Sequence, residues 1–182
     1  MTTGADATPP RARVTGFVYL LYFLTAVSAE VLVGRGRPVL FDAVILIACL
    51  FYAAVTLLFY FLFRPVNSSL SLLAALFGLG GCANDVLGLF NLIPYKTSSL
   101  AFFGPYCLLI GYLIFRSTFL PRFLGVLMAL AGVGWLLFLF LRASQLSTYL
   151  TIFGFLAEAS LMLWLIVKGV NVTRWREQAS AA

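Results

Sequence analysis

The chain alternates between long apolar stretches and short connections that carry prolines, glycines or charges. A helix needs about 20 mainly apolar residues to cross a bilayer, and most of these stretches approach that length. They lack the strict alternation that strands of a β-barrel would show. We therefore predict an all-α integral membrane protein, a six-helix bundle with its spans at Val14–Val33, Val39–Phe63, Leu70–Ile93, Leu100–Phe115, Phe123–Leu141 and Thr148–Val167. The fourth span is short and contains Gly104-Pro105, so we expect it to be kinked or tilted.

Composition supports the same class. Of the 182 residues 63% are hydrophobic and 10% charged, and the mean hydropathy is +1.05. Soluble domains are about 45–50% apolar and about 25% charged. The net charge of +6 does not indicate nucleic acid, because the twelve basic residues are scattered singly between apolar runs and are typical of membrane-interface anchors. The predicted organisation is a disordered N-terminal tail (1–12), one six-helix transmembrane domain (13–170) and a short cytoplasmic C-terminal tail (171–182).

The distribution of Lys and Arg predicts the orientation. Eight of them fall on the side that holds both termini and the second and fourth connections, and four fall on the other side. Because cytoplasmic loops carry the excess of basic residues, we expect both termini in the cytoplasm.

The first apolar stretch has an alternative interpretation. Arg11 and Arg13, an apolar core and the sequence AVSA (Ala26–Ala29) resemble a signal peptide with its cleavage site. However, apolar residues continue to Val33. In addition, Thr15, Tyr19 and Tyr22 recur at helical spacing and form one polar face. We favour a retained first helix, and N-terminal sequencing of the mature protein distinguishes the two.

Two carboxylic acids fall inside predicted spans, Glu158 and Asp85. At about 1.5 Å per residue, Glu158 lies about 15 Å from the membrane surface near Thr148, and Asp85 lies about 12 Å from the same surface. No Lys or Arg falls at that depth, so neither acid has an obvious cationic partner. A charge in the bilayer is costly, and such residues usually face the interior of the bundle.

The neighbours of the two acids indicate which way they point. Small and hydroxyl residues share a helix face with Glu158, among them Thr151, and glycines share a face with Asp85. We therefore predict an intramembrane polar site formed by Glu158, Asp85, Asn84 and Thr151. One interpretation is structural, with protonated acids that donate hydrogen bonds to other helices. The other is a polar cavity, open to the outside, that binds a proton, a cation or the polar part of a ligand.

The first outer connection carries a different set of charges. Glu30 and Asp42 flank it and Arg35 and Arg37 lie within it, which predicts an interfacial ion-pair cluster that holds the first two helices together.

The residue inventory argues against most catalytic sites. The chain has no histidine, which removes His-ligated haem, His-rich metal sites and His-based acid–base catalysis. The sequence GLGG (Gly78–Gly81) lies mid-span and follows no strand, so it indicates helix packing and not phosphate binding. We therefore expect no catalytic residue, metal ligand or cofactor-binding residue.

Three long stretches are similar to a known family. They are FRPVNSSLSLLAALFGLGGCA (Phe63–Ala83), GPYCLLIGYLIFRSTFLPRFLGVLMALAGVGWL (Gly104–Leu136) and AEASLMLWLIVKGVNVTRW (Ala157–Trp175). They resemble a bacterial multipass membrane family catalogued as a domain of unknown function (domain of unknown function 4386). The resemblance implies a multipass fold, and it implies an acid at Glu30 and Glu158. It also implies a place in the inner (plasma) membrane of a bacterium, and it implies no activity.

Three functions stay open. We expect a non-enzymatic membrane protein, either an accessory or assembly subunit or a binder of a small ligand or lipid. The alternative is a small proton- or cation-coupled carrier that uses the intramembrane acids. The third is an intramembrane enzyme that modifies lipid. Expected partners are the lipid bilayer, with another membrane protein or a second copy of the chain left open, and no nucleic acid.

Overall fold

The computed structural model describes residues 12–29, 38–93, 98–141 and 145–181, and all regular structure within these ranges is helical. The helices are α1 (Ala12–Ser28), α2 (Pro38–Phe63), α3 (Ser68–Leu89), α4 (Leu100–Arg116), α5 (Arg122–Phe140), α6 (Gln145–Val167) and α7 (Val172–Ser180). The predicted all-α class is confirmed. The seventh helix lies in the segment that the sequence analysis assigned to a tail.

Four of these helices, α2, α3, α5 and α6, are long and apolar enough to cross a membrane. The helices α1 and α4 are also apolar but have 17 residues each. At about 1.5 Å per residue, 17 residues extend about 25 Å, somewhat less than a typical hydrocarbon core of about 30 Å. Pro105 lies in the second turn of α4, where it cannot donate a backbone hydrogen bond to the carbonyl of Ala101.

The first six helices form a closed ring. Each packs against the next along the chain, and α6 packs against α1. Large apolar side chains cover the outside, with Leu50 71% and Phe140 84% exposed, whereas the interior is filled by buried tyrosine, phenylalanine and leucine. An apolar exterior around a partly polar interior is the arrangement that a lipid environment favours.

Contact between α4 and α5 is close enough to bring their backbones together. A Cβ atom at Gly111 would lie 2.6 Å from the backbone nitrogen of Ala129, and one at Gly125 would lie 2.6 Å from the carbonyl oxygen of Gly111. Small residues allow such approach, which is a major source of helix association in membranes.

The C-terminal helix α7 covers one end of the ring. Gly169 takes a positive φ of 68°, which lets the chain reverse after α6. The side chain of Asn171 then caps α7 by accepting from the backbone N–H of Arg174 at 3.1 Å. From α7, the indole Nε1 of the buried Trp175 donates to the carbonyl of Leu62 at 2.9 Å, near the end of α2. This end of the bundle is therefore closed by protein.

Candidate functional site

Glu158 lies in the interior of the ring and joins three helices. Its side chain is 7% exposed. One carboxylate oxygen, Oε2, accepts from the hydroxyl of Tyr19 on α1 at 2.6 Å, and the other, Oε1, accepts from the indole Nε1 of Trp135 on α5 at 3.1 Å. Both donors are uncharged groups. The acid is thus held by neutral hydrogen bonds, and the presence of a donor at each oxygen suits a carboxylate anion.

Gly154 makes the contact between Trp135 and Glu158 possible. It lies one helical turn before Glu158, and a Cβ atom there would stand 2.5 Å from Cζ2 of Trp135. The indole therefore packs closely against α6 at Gly154, and its N–H reaches the carboxylate. A small residue on this face of the sixth span thus leaves the space that Trp135 needs to reach Glu158.

A cavity of about 350 Å³ lies beside Glu158. Sites for small molecules typically measure about 300–1,000 Å³ and combine mainly apolar walls with a few polar groups. The cavity extends from Glu158 in the middle of α6 to the start of α4, on the opposite end of the ring from α7. Its lining residues are Tyr22, Tyr52, Ser98, Ser99, Leu100, Phe103, Trp135, Phe138, Thr151, Phe155 and Glu158.

Aromatic rings form two walls of this cavity. In the first, Tyr52 of α2 lies with its ring centroid 4.7 Å from that of Tyr22 and 4.9 Å from that of Phe103. In the second, the Trp135 ring lies 6.0 Å from that of Phe155 in an edge-to-face arrangement. Tyr19, one of the two donors to Glu158, packs against Tyr52 of the first wall, with their ring centroids 6.5 Å apart. Trp135, the other donor, belongs to the second wall.

Asp85 reaches the cavity only through another residue. The hydroxyl of Ser99 donates to Asp85 Oδ1, and the amide Nδ2 of Asn84 lies 3.4 Å from the same hydroxyl. Ser99 is the N-cap residue of α4 but makes no side-chain cap, because its hydroxyl is directed to Asp85. Asp85 is therefore adjacent to the cavity wall, on the far side of Ser99.

The four residues predicted to form one polar site thus fall into two groups. Glu158 and Thr151 line the cavity, and the Thr151 hydroxyl donates to the carbonyl of Ser147 at 2.9 Å. Asp85 and Asn84 lie behind Ser99 and are not part of the lining. That the four residues act as one site stays a prediction.

The predicted outer-loop cluster falls mainly outside the described residues. Glu30, Arg35 and Arg37 belong to the undescribed segment between α1 and α2. Asp42 lies in the second turn of α2 and is half-buried. The ion-pair cluster stays a prediction.

Sequence reasoning did not include the aromatic walls or the two donors to Glu158. One signal was available in Trp135, which lies inside a span, whereas tryptophan usually collects at the membrane interfaces. An indole N–H within the bilayer needs an acceptor, so a mid-span tryptophan indicates a polar partner on another helix. The tyrosines gave a weaker signal, since Tyr19 and Tyr22 share the polar face of α1 that the sequence already showed.

Metal ligands are sparse in the described part of the chain, where no group of three or more His, Cys, Asp or Glu side chains comes together. The donor atoms around Glu158 are hydroxyls, an indole and one carboxylate. The Tyr19 hydroxyl and the Trp135 indole already donate hydrogen bonds to the two oxygens of this carboxylate.

Part of the chain is similar to a known protein family. Residues 95–169 match the family described as Domain of unknown function (DUF4386). The family resemblance noted from the sequence is confirmed over these residues. They include α4, α5 and all of α6, and so they carry Trp135, Gly154 and Glu158.

A distant relative extends the similarity beyond that segment. The chain is 28% identical over 151 residues to an Archaeoglobus fulgidus protein described as uncharacterised, and the alignment spans 79% of this chain and 93% of the relative. No solved structure matches the chain.

Proposed function

We propose that this protein is a non-enzymatic integral membrane protein that binds a small molecule in the cavity beside Glu158. The observation that carries the proposal is the cavity, in which six aromatic side chains and one buried carboxylate face a volume of about 350 Å³. Few precisely placed polar groups in a mainly apolar concave surface are the usual composition of a ligand site.

The same proposal includes six membrane spans with both termini in the cytoplasm. The closed ring of α1–α6 supports six spans, since α1 and α4 pack as full members between longer helices. It also supports retention of α1, because this helix supplies Tyr19 to Glu158. In this orientation the cavity opens to the outside, and the end covered by α7 faces the cytoplasm. Fluorescent-protein and alkaline phosphatase fusions at each terminus test it, and phosphatase activity at either end would contradict it.

The binding proposal is tested by blocking the cavity. Thr151→Phe introduces a large side chain at a lining position. Thr148→Phe makes the same change one turn earlier on α6, at an exposed position outside the lining. We expect thermal shifts of the purified protein with a panel of cationic, neutral and anionic small aromatic compounds. The shifts should persist in Thr148→Phe and disappear in Thr151→Phe. Absence of any shift in the wild type, or equal shifts in both variants, would contradict ligand binding in this cavity.

A second function, a proton- or cation-coupled carrier, is favoured by one specific observation. Tyr19 and Trp135, the two hydrogen-bond donors that the structure shows for Glu158, are uncharged, and none of the described residues that line the cavity is basic. A proton and a cationic ligand would therefore compete for the same carboxylate, which is the minimal requirement for exchange. Proteoliposomes loaded with a pH-sensitive dye test this function. A ligand-driven proton flux that Glu158→Gln abolishes supports the carrier. If protein that binds the ligand shows no such flux, the protein is a binder and not a carrier.

A further inference from the structure

We propose that the ligand of the Glu158 cavity is an organic cation, a small amine or quaternary ammonium compound that carries an apolar group. This inference rests on the proposed function and specifies the ligand class. Three features of the described residues support it: the charge balance of the lining, the aromatic walls and the donor atoms at the carboxylate.

The charge balance favours a positive ligand. Among the lining residues that the structure describes, Glu158 is the one carboxylic acid and no Lys or Arg is present, and its two hydrogen bonds come from neutral groups. A buried carboxylate without a cationic partner is costly, and a bound cation would remove that cost. Asp85 lies behind Ser99 at the other end of the cavity and places a second acid there. The described lining residues offer an anionic ligand no cationic partner.

The aromatic walls suit a cation that is organic. Rings present a negative face, and ammonium groups within about 6 Å of a ring centroid are attracted to it, which is how aromatic cages recognise quaternary ammonium. Tyr22, Tyr52 and Phe103 form one wall, and Trp135 and Phe155 lie in the other. The remaining volume accommodates the apolar part of such a ligand.

The donor atoms do not suit a bare metal ion. Hard cations such as Ca²⁺ and Mg²⁺ require about six or more oxygen ligands in a closed shell. The lining offers one carboxylate, whose two oxygens already accept hydrogen bonds, and the hydroxyls of Ser98, Ser99 and Thr151 lie toward the other end of the cavity. An ammonium group needs no such shell, since it is attracted by the carboxylate through charge and by the rings through their faces.

Three probes of matched shape and different charge test the inference. They are benzyltrimethylammonium, its uncharged carbon analogue neopentylbenzene, and phenylmethanesulfonate, whose tetrahedral head is negative. Binding to the full-length protein in lipid nanodiscs is measured by calorimetry, with the thermal shift as a second readout. We expect the cation to bind at least about tenfold more tightly than the neutral analogue, and the anion to bind most weakly.

Two variants assign the preference to named residues, and one serves as control. Glu158→Gln removes the charge and keeps an acceptor oxygen, so we expect it to lose the preference for the cation. Phe155→Leu removes one ring at a position that is 41% exposed. It should weaken binding of the cation about two- to fivefold and weaken binding of the neutral analogue less. Glu177→Gln makes the same chemical change at an exposed position on α7, outside the cavity, and should have no effect.

The outcomes separate this inference from the proposed function. Binding of the neutral analogue as tightly as the cation, or a charge preference that survives Glu158→Gln, overturns the cation inference and leaves a ligand site. Binding of none of the three probes overturns the cation inference and counts against the ligand site as well. If Glu158→Gln fails to fold, the comparison of the three probes on wild type and Phe155→Leu still decides the ligand's charge.

Discussion

The hydrogen bond between Tyr19 and Glu158 gives the most direct prediction about the centre of the bundle. Both side chains are buried, Tyr19 being 1% exposed, and the oxygen–oxygen distance is 2.6 Å. Tyr19→Phe removes the hydroxyl and keeps the ring. One carboxylate oxygen then loses its donor at a position where water cannot readily replace it.

The expected magnitude depends on the charge of Glu158. A hydrogen bond to an ionised group contributes about 1.5–3 kcal/mol. Hydrogen bonds between helices of membrane proteins contribute about 0.6 kcal/mol on average. A double-mutant cycle isolates the pair, with Tyr19→Phe, Glu158→Met and the double variant. Glu158→Met removes both acceptor oxygens and keeps a side chain of similar length. The hydrogen bond that Trp135 loses in Glu158→Met is also lost in the double variant, so this loss cancels in the coupling energy.

The free energy of unfolding is measured in mixed micelles by titration with sodium dodecyl sulfate, with helicity followed by circular dichroism. A coupling energy above about 1.5 kcal/mol indicates a carboxylate anion, and one near 0.6 kcal/mol indicates a protonated acid. Tyr149→Phe is the matched control, since Tyr149 is 67% exposed and should change stability by less than about 0.5 kcal/mol. A coupling energy below about 0.3 kcal/mol, the level expected of independent sites, would refute the argument that Tyr19 holds Glu158.

Two further predictions concern the scaffold. Gly111→Ala should destabilise the protein by about 1–3 kcal/mol in the same titration, because the added methyl group would meet the backbone of α5 at 2.6 Å. Gly88→Ala, where an added Cβ meets nothing within 4 Å, should be neutral or slightly stabilising, and equal effects of the two changes would contradict the packing argument. Trp175→Phe should cost about 1 kcal/mol or more, because the carbonyl of Leu62 loses its buried donor. Retention of full stability and unchanged proteolysis of α7 in that variant would show that the contact does not hold α7.

The hydrophobic pattern by itself determined much of this protein. It gave the all-α class and the approximate positions of the six apolar helices, because backbone in a bilayer must satisfy its own hydrogen bonds within each helix. It also singled out Glu158, because an acid in the middle of an apolar stretch is rare and costly wherever that stretch packs. The hydrophobic pattern did not predict α7, because Val172–Ser180 is too short and too polar to resemble a membrane-spanning segment.

The tertiary structure alone decided what surrounds the acid. Residues 139 and 23 positions away in the chain, Tyr19 and Trp135, supply its hydrogen bonds, and no local pattern links such distant positions. It also separated Asp85 from Glu158 by placing Ser99 between Asp85 and the cavity, although both acids had seemed equally deep. Depth follows from counting residues along a helix, whereas direction and partners depend on how each helix is rotated against its neighbours. That rotation is fixed here by close contacts such as Gly154 against Trp135.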